Sequence, residues 1–440
     1  MRRSWGAWQV ELGGAVLAGV ALFLSLGAGK ASLPGREVVT SIVSEGIGRI
    51  AVRVALPDRP RYPEGAPVVV EVPTYATPVT GFDPSLPAPS LGAVHLTLLW
   101  PGRSDPRTGA SSEGVDNFGG PTAIRALRDV IRFACGEIRD VSGRAVGELS
   151  PIPVLTANVG LYAFSHPGIP ATIVLSRYGQ ELAGVTYFVG GENPTNDALF
   201  SVEVGHWGTD GRPIENPYYD YPEGYTADRL VLETSHVDWQ VDAAHPDGVP
   251  AFRVPGGEDY VLGDRVPRMG GKRYYSVAVA EALLRNGALT EGTWPADVAT
   301  ASEARANWPD RMAVGHYAPL ATAAPSLKVM LVFGNEDHVQ VALDKPHIHQ
   351  AYDGFREQAG LWVRLNPDRS YVAALLGSTE SRRFPDNPAN SEPSNWLDVG
   401  PWSVPAEHRQ IALLAAVAEM MDRTRLDVWG EDLATVLTSW

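Results

Sequence analysis

The stretch VGLYAFSHPGIPATIVL, Val159 to Leu175, is an apolar run broken by Ser165, His166, Pro167 and Gly168. VGLYAF has the length and composition of a buried strand, and IPATIVLSRYG continues with apolar residues at helical spacing. A strand, a sharp turn and a helix with a serine at the bend lift that serine above the edge of a sheet. Small residues two before and two or three after it let strand and helix approach closely, and Ala163, Pro167 and Gly168 occupy those positions.

Outward from this turn, β-branched runs alternate with helical patterns. RIAVRVALP, APVVVEVPTY and LGAVHLTLLWPG read as strands before it, and GGPTAIRALRDVIRFACGEI as a helix. GVTYFVGGENPT and LKVMLVFGNEDH follow as strands, then KPHIHQAYDGFREQAG as a helix, LWVRLN as a last strand and AEHRQIALLAAVAEMMDR as a closing helix. This order predicts an α/β fold, doubly wound, with a mostly parallel sheet and helices on both faces. Between residues 192 and 325 the pattern changes to Pro-, Gly- and Tyr-rich stretches such as NPYYDYPEGYT, which reads as an irregular, cap-like insertion over one end of the sheet. The expected organisation is therefore a first part of the core over 40–191, the insertion over 192–325 and a second part of the core over 326–440. A further irregular stretch, STESRRFPDNPANSEPSNWLDVGPW, reads as a surface loop before the closing helix.

The 440 residues suffice for a large core, and 44% hydrophobic with 20% charged residues is a globular balance. A formal charge of −15 without a Lys/Arg run excludes nucleic acid as a partner, since its phosphates would be repelled. Cys135 is the single cysteine, so no intrachain disulfide forms, and its apolar surroundings make it a small buried hydrophobe. The start, MRRSWGAWQVELGGAVLAGVALFLSLGAGKAS, carries basic residues, an apolar run from Gly13 to Ala28 and small residues around Ala28 and Ala31. Residues 1–31 thus read as a cleaved signal peptide or a retained membrane anchor, with the body extracytoplasmic: secreted, periplasmic or at the cell surface.

The turn and its surroundings resemble the α/β-hydrolase superfamily, in particular its prolyl-oligopeptidase-like and dienelactone-hydrolase-like branches. The resemblance runs from about Arg49 to Arg423 and includes LLWPGRSDPRTGASSEGVDNFGGPTAIRALRDVIRFA before the serine turn and KVMLVFGNEDHVQ after it. It implies an α/β-hydrolase fold, Ser165 as nucleophile, Asp337 as the acid of a catalytic triad, and an oxyanion held by backbone N–H groups at His166 and near Tyr75. No cofactor and no metal is expected.

The imidazole is the difficulty. A serine hydroxyl needs a base to take its proton, and the family places that histidine after the last strand, where this chain has Asn366, Pro367, Asp368 and Arg369. The later His408, at the start of the closing helix, is the expected substitute. His338 adjoins Asp337, so the two side chains should point apart; His347 and His349 fall on different faces of a helix, and the pair lacks a third ligand at metal spacing. After APVVVEV the chain has PTYAT rather than a His-Gly-Gly turn. Two functions follow: an exported serine hydrolase, esterase or peptidase, acting on a small-molecule or peptide substrate, with Trp207, Tyr218, Tyr219 and Tyr225 lining its pocket; or a catalytically inactive hydrolase fold serving as an extracellular binding or assembly module, anchored by the N-terminal helix or assembled as a homo-oligomer.

Overall fold

The computed structural model describes residues 36–75, 81–196, 203–220, 231–262, 266, 268–334, 336–377, 379, 382 and 404–430. The export segment expected at 1–31, Tyr225 and nearly all of the irregular stretch before the closing helix lie outside them.

The core is one eight-stranded sheet of β1 Glu37–Ser44, β2 Gly48–Ala55, β3 Ala66–Glu71, β4 Val94–Leu98, β5 Val154–Phe164, β6 Val185–Gly191, β7 Lys328–Val332 and β8 Trp362–Leu365. The spatial order is β1-β2-β4-β3-β5-β6-β7-β8. β2 pairs antiparallel with both β1 and β4, while every neighbour from β4 to β8 is parallel. This is the α/β-hydrolase arrangement.

Helices cover both faces, which is why the inner strands are apolar at nearly every position rather than alternating. On one face Val68, Val70, Leu161, Phe188, Val329 and Leu331 pack with α1 (Pro121–Ala134), α2 (Gly168–Tyr178) and α6 (Pro346–Asp353). The intervening residues Val69, Tyr162, Tyr187, Val189, Met330 and Val332 face the other way. There they meet α7 (Arg369–Leu376) and α8 (Arg409–Leu426), whose residues 412–423 are all buried. The period-two strand pattern thus divides one set of β-branched and aromatic residues between two apolar layers. β1, at the edge, has a half-exposed pattern, as an edge strand covered on one side should.

Between β6 and β7 the chain leaves the sheet. Short antiparallel pairs and the helices α3 (Val277–Arg285), α4 (Ala301–Asn307) and α5 (Tyr317–Ala323) occupy this stretch. Part of it has its own apolar cluster, including Val237, Phe252, Tyr260, Tyr275, Val279 and Leu283. Among the described residues no helix is long and apolar enough to cross a membrane.

Candidate active site

The sheet order places the carboxyl ends of β5, β6 and β7 side by side. Each strand is followed at once by a residue or short loop bearing a polar side chain. Ser165 directly follows β5 in left-handed backbone, φ 62°, and Glu192 directly follows β6 at φ 45°. Such conformations cost about 1–3 kcal/mol each for residues with a Cβ, and they persist where the surrounding structure imposes them.

Here the imposing group is Asn193. Its Nδ2 donates to the carbonyls of Ala163 at 3.1 Å, Ser165 at 2.7 Å and Gly191 at 3.2 Å, tying the ends of β5 and β6 together. Its space comes from glycine. A Cβ at Gly168 would lie 2.2 Å from Asn193 Cγ, and one at Gly190 2.2 Å from Asn193 Oδ1. The backbone N–H of Ser165 donates to Gly191 O at 2.8 Å, completing the join. Gly168, not Pro167, is therefore the position where smallness is required.

The imidazole against Ser165 is His338, not His408. His338 Nε2 lies 2.8 Å from Ser165 Oγ, and its Nδ1 lies 2.7 Å from Glu192 Oε2. The carboxylate only accepts, so the proton sits on Nδ1, and Nε2 is left to accept from the serine hydroxyl. The ring lies against Phe164, tilted by 38° at a centroid separation of 4.8 Å. Its side chain is 25% exposed and that of Glu192 1%, so solvent reaches the imidazole but not the carboxylate behind it.

Glu192 is held on all sides. Oε1 accepts from Arg409 Nε at 2.8 Å and from the N–H of Gly334 at 3.2 Å; Oε2 also accepts from the backbone N–H of His338 at 3.2 Å. Asp337, the acid expected from the sequence, is farther from the imidazole, with Oδ1 3.5 Å from His338 Nδ1. Its oxygens are engaged elsewhere: Oδ1 takes the N–H groups of Val339 and Gln340 at 2.8 Å, and Oδ2 meets His347 Nε2 at 3.0 Å. The two adjacent side chains do not point fully apart: Asp337 Oδ1 stays near His338 Nδ1, while His338 Nε2 turns to Ser165 and Asp337 Oδ2 to His347.

Burial alone would lower the pKa of His338, but the Glu192 hydrogen bond and the charges of Asp337 and Glu192 outweigh it and hold the imidazole above its ordinary value. Burial would raise Asp337, yet the His347 hydrogen bond and the charges of His338, His347 and Lys345 keep it well below the usual carboxylate range. Glu192, Asp337 and His338 offer three ligand atoms within 4.8 Å of one another, the spacing of a small metal site. The Glu192 oxygens accept from Arg409, from the N–H groups of Gly334 and His338 and from His338 Nδ1, and those of Asp337 meet Val339, Gln340 and His347, so the three groups are tied by hydrogen bonds to one another and to the surrounding chain.

The remaining expected residues fall as follows. His166 is next to Ser165, at the start of the turn into α2, whose N-terminal end favours negative charge nearby. Tyr75 is buried beside it, with the two rings edge to face at 6.3 Å, and its carbonyl accepts from Arg103 Nη2. His408 directly precedes α8, and its successor Arg409 is the residue that reaches the site. His349 lies near Asp353, at 3.8 Å. Of the aromatic residues expected at the pocket, Trp207 donates from Nε1 to Asp337 O at 2.6 Å and Tyr219 from its hydroxyl to Asp344 at 2.7 Å. Tyr218 stacks instead on His236 and Phe252, within the insertion.

Glu192 and His338 are not legible in the sequence as partners of Ser165. Glu192 closes a Gly-Gly strand end, VGGEN, and by its sequence reads as the edge of the insertion; its meaning depends on β6 lying beside β5. His338 adjoins Asp337 in the chain and stays 3.5 Å from it, yet its nearer partner, Glu192 at 2.7 Å, comes from the end of another strand.

No family model and no curated protein sequence matches the chain. Among solved structures it is similar to a puromycin hydrolase, at 11% identity and a TM-score of 0.37, covering 76% of this chain and 35% of that one. It is also similar to a dipeptidyl peptidase 4 from Porphyromonas gingivalis, at 11% identity and a TM-score of 0.35 over 75% of this chain and 31% of that one. A fungal esterase from Rhizomucor miehei matches at 15% identity and a TM-score of 0.28, over 42% of this chain and 52% of the esterase. The chain spans between about a third and a half of the length of these proteins.

Proposed function

We propose that this protein is a serine hydrolase that cleaves an ester or amide carbonyl, with Ser165 as nucleophile, His338 as general base and acid, and Glu192 as the carboxylate that orients and stabilises the imidazole. The observation that carries this reading is the single imidazole bridging Ser165 Oγ at 2.8 Å and Glu192 at 2.7 Å. In the first step Oγ attacks the carbonyl carbon as its proton passes to Nε2. The imidazolium so formed lies against the anionic Glu192, and it then returns the proton to the leaving alcohol or amine. Water, activated in the same way, releases the acyl group. Negative charge on the carbonyl oxygen is favoured by the N-terminal end of α2, with the backbone N–H of His166 and a group near Tyr75 as the proposed donors.

The test is labelling by a fluorophosphonate probe, which modifies activated serines. The intact protein should label, and Ser165→Ala and His338→Ala should each remove the labelling and any hydrolysis of a simple aryl ester. A folded wild-type protein that fails to label would leave the inactive, binding reading in its place.

We further propose that the body is exported. The support is physical: the apolar run from Gly13 to Ala28, behind Arg2 and Arg3, partitions into a membrane with its basic end inside. Recovery of full-length protein from the soluble cytoplasmic fraction would count against it.

A further inference from the structure

α8 begins at Arg409, and this residue reaches back over the carboxyl ends of the sheet. Its Nε donates to Glu192 Oε1 at 2.8 Å, and its Nη2 donates to the carbonyl of Glu336, in the loop that carries His338. Its side chain is 16% exposed, against 1% for Glu192. The chain just before it is also tied down: Val404 N donates to Phe333 O at 2.9 Å, at the base of the same loop. A guanidinium from the closing helix therefore joins the acid of the site to the backbone next to its imidazole.

We propose that Arg409 is a positioning residue of this site, acting through Glu192: it offsets the charge of the carboxylate that faces His338 and so opposes protonation of the imidazole that must accept from Ser165. The inference rests on the serine-hydrolase reading above.

The groups around the imidazole decide the sign. From β6 comes Glu192, from its own loop Asp337, and from the turn after β5 the hydroxyl of Ser165. Asp337 is in turn matched by His347 at 3.0 Å and acts also with the charge of Lys345, itself buried. Two carboxylates thus face Nδ1, and both favour the imidazolium. Arg409 is the cation paired directly with the nearer one, and its charge opposes protonation of His338. Without it Glu192 remains in place, because Gly334 N–H, His338 N–H and Nδ1 still hold its two oxygens. The carboxylate is then uncompensated. His338 binds its proton more tightly, and a protonated imidazole cannot accept from Ser165.

The experiment is the pH dependence of fluorophosphonate labelling rate and of aryl-ester kcat/KM for the full chain, in wild type, Arg409→Gln, Arg409→Met and Arg409→Lys. The neutral variants should shift the acid limb upward by about one pH unit, as expected for loss of a charge within several ångströms, and should approach the wild-type rate on the alkaline plateau. Arg409→Lys, which keeps the charge, should restore the midpoint. An unchanged or lowered midpoint in a folded neutral variant overturns the inference, as does a loss of rate equal at every pH. If both neutral variants fail to fold while Arg409→Lys folds, Arg409 is a structural bridge and the inference is likewise overturned. Absence of labelling in wild type would instead defeat the hydrolase reading itself, so the two failures are distinguishable.

Discussion

Two carboxylates lie close to His338, and they differ in what else they hold. Glu192 approaches Nδ1 at 2.7 Å, whereas Asp337 stands at 3.5 Å with both oxygens engaged by His347 and two backbone N–H groups. Glu192→Gln should therefore reduce kcat/KM by about 10²–10⁴-fold, since an amide in its place no longer selects the required tautomer. Asp337→Asn should cost only about tenfold or less, through charge alone. The pH profile gives a second reading. In the proposed mechanism His338 must be neutral to act, its pKa lies above the ordinary value near 6.5, and activity should be lost as pH falls through that raised value. Asp337→Asn removes an anion that favours the imidazolium, so its acid limb should move to lower pH. Steady-state rates across the acid limb test both statements.

At the scale of elements, the site depends on how closely α2 meets the end of β6. The Asn193 amide fills that junction, and Gly168 and Gly190 leave it room. Gly168→Ala would place a Cβ 2.2 Å from the Asn193 side chain, so either the amide leaves its three carbonyls or the helix start shifts. The expected outcome is a loss of about 1–3 kcal/mol in stability, with a fall in probe labelling larger than the fall in folded fraction. Chemical denaturation paired with labelling of the native fraction separates the two. The same elements explain why Pro167 is tolerated: it stands at the helix entry, where proline's fixed φ suits the first turn and its missing N–H removes only a donor that has no partner within the helix.

At the scale of the whole molecule, the stretch between β6 and β7 is both inserted into the core and attached to the loop bearing His338. Trp207 and Tyr219 bond to Asp337 and Asp344, respectively. Glu203, two residues before the short strand Gly205–Trp207, is fully buried and accepts from the hydroxyl and N–H of Ser276. Burial pushes its carboxyl up to about 7, against 4.5 for the free group, despite the Ser276 hydrogen bonds that act to lower it. A raised value means that the folded form binds the proton more tightly than the unfolded form. The contribution is present in full below the unfolded value and is lost as pH rises from about 4.5 to about 7. Thermal melts should therefore show the protein losing stability across this interval by up to about 3 kcal/mol, and Glu203→Gln, which is neutral throughout, should flatten that part of the curve.

The fold was legible in the sequence because it depends on local patterns. Apolar runs alternating with helical periods require a covered parallel sheet, and the strand-serine-helix stretch at 159–175 requires a sharp turn. The first strand, Glu37–Ser44, is not legible in the sequence, because an edge strand covered on one side has no continuous apolar run. The partners of Ser165 were not legible, for a physical reason. Chain order says which residue follows which strand, but a hydrogen bond over 2.8 Å depends on which strands are neighbours and on how each one ends. The adjacency of β5, β6 and β7, and the left-handed backbone of Ser165 and Glu192, bring together residues 165, 192 and 338. His408 has a suitable ring and a position late in the chain, but the tertiary structure brings its neighbour Arg409 to the acid instead. Residue types and strand order along the chain were determined by the sequence alone; only the packed sheet decided which acid and which imidazole face the serine, because that choice is made by distances across strands.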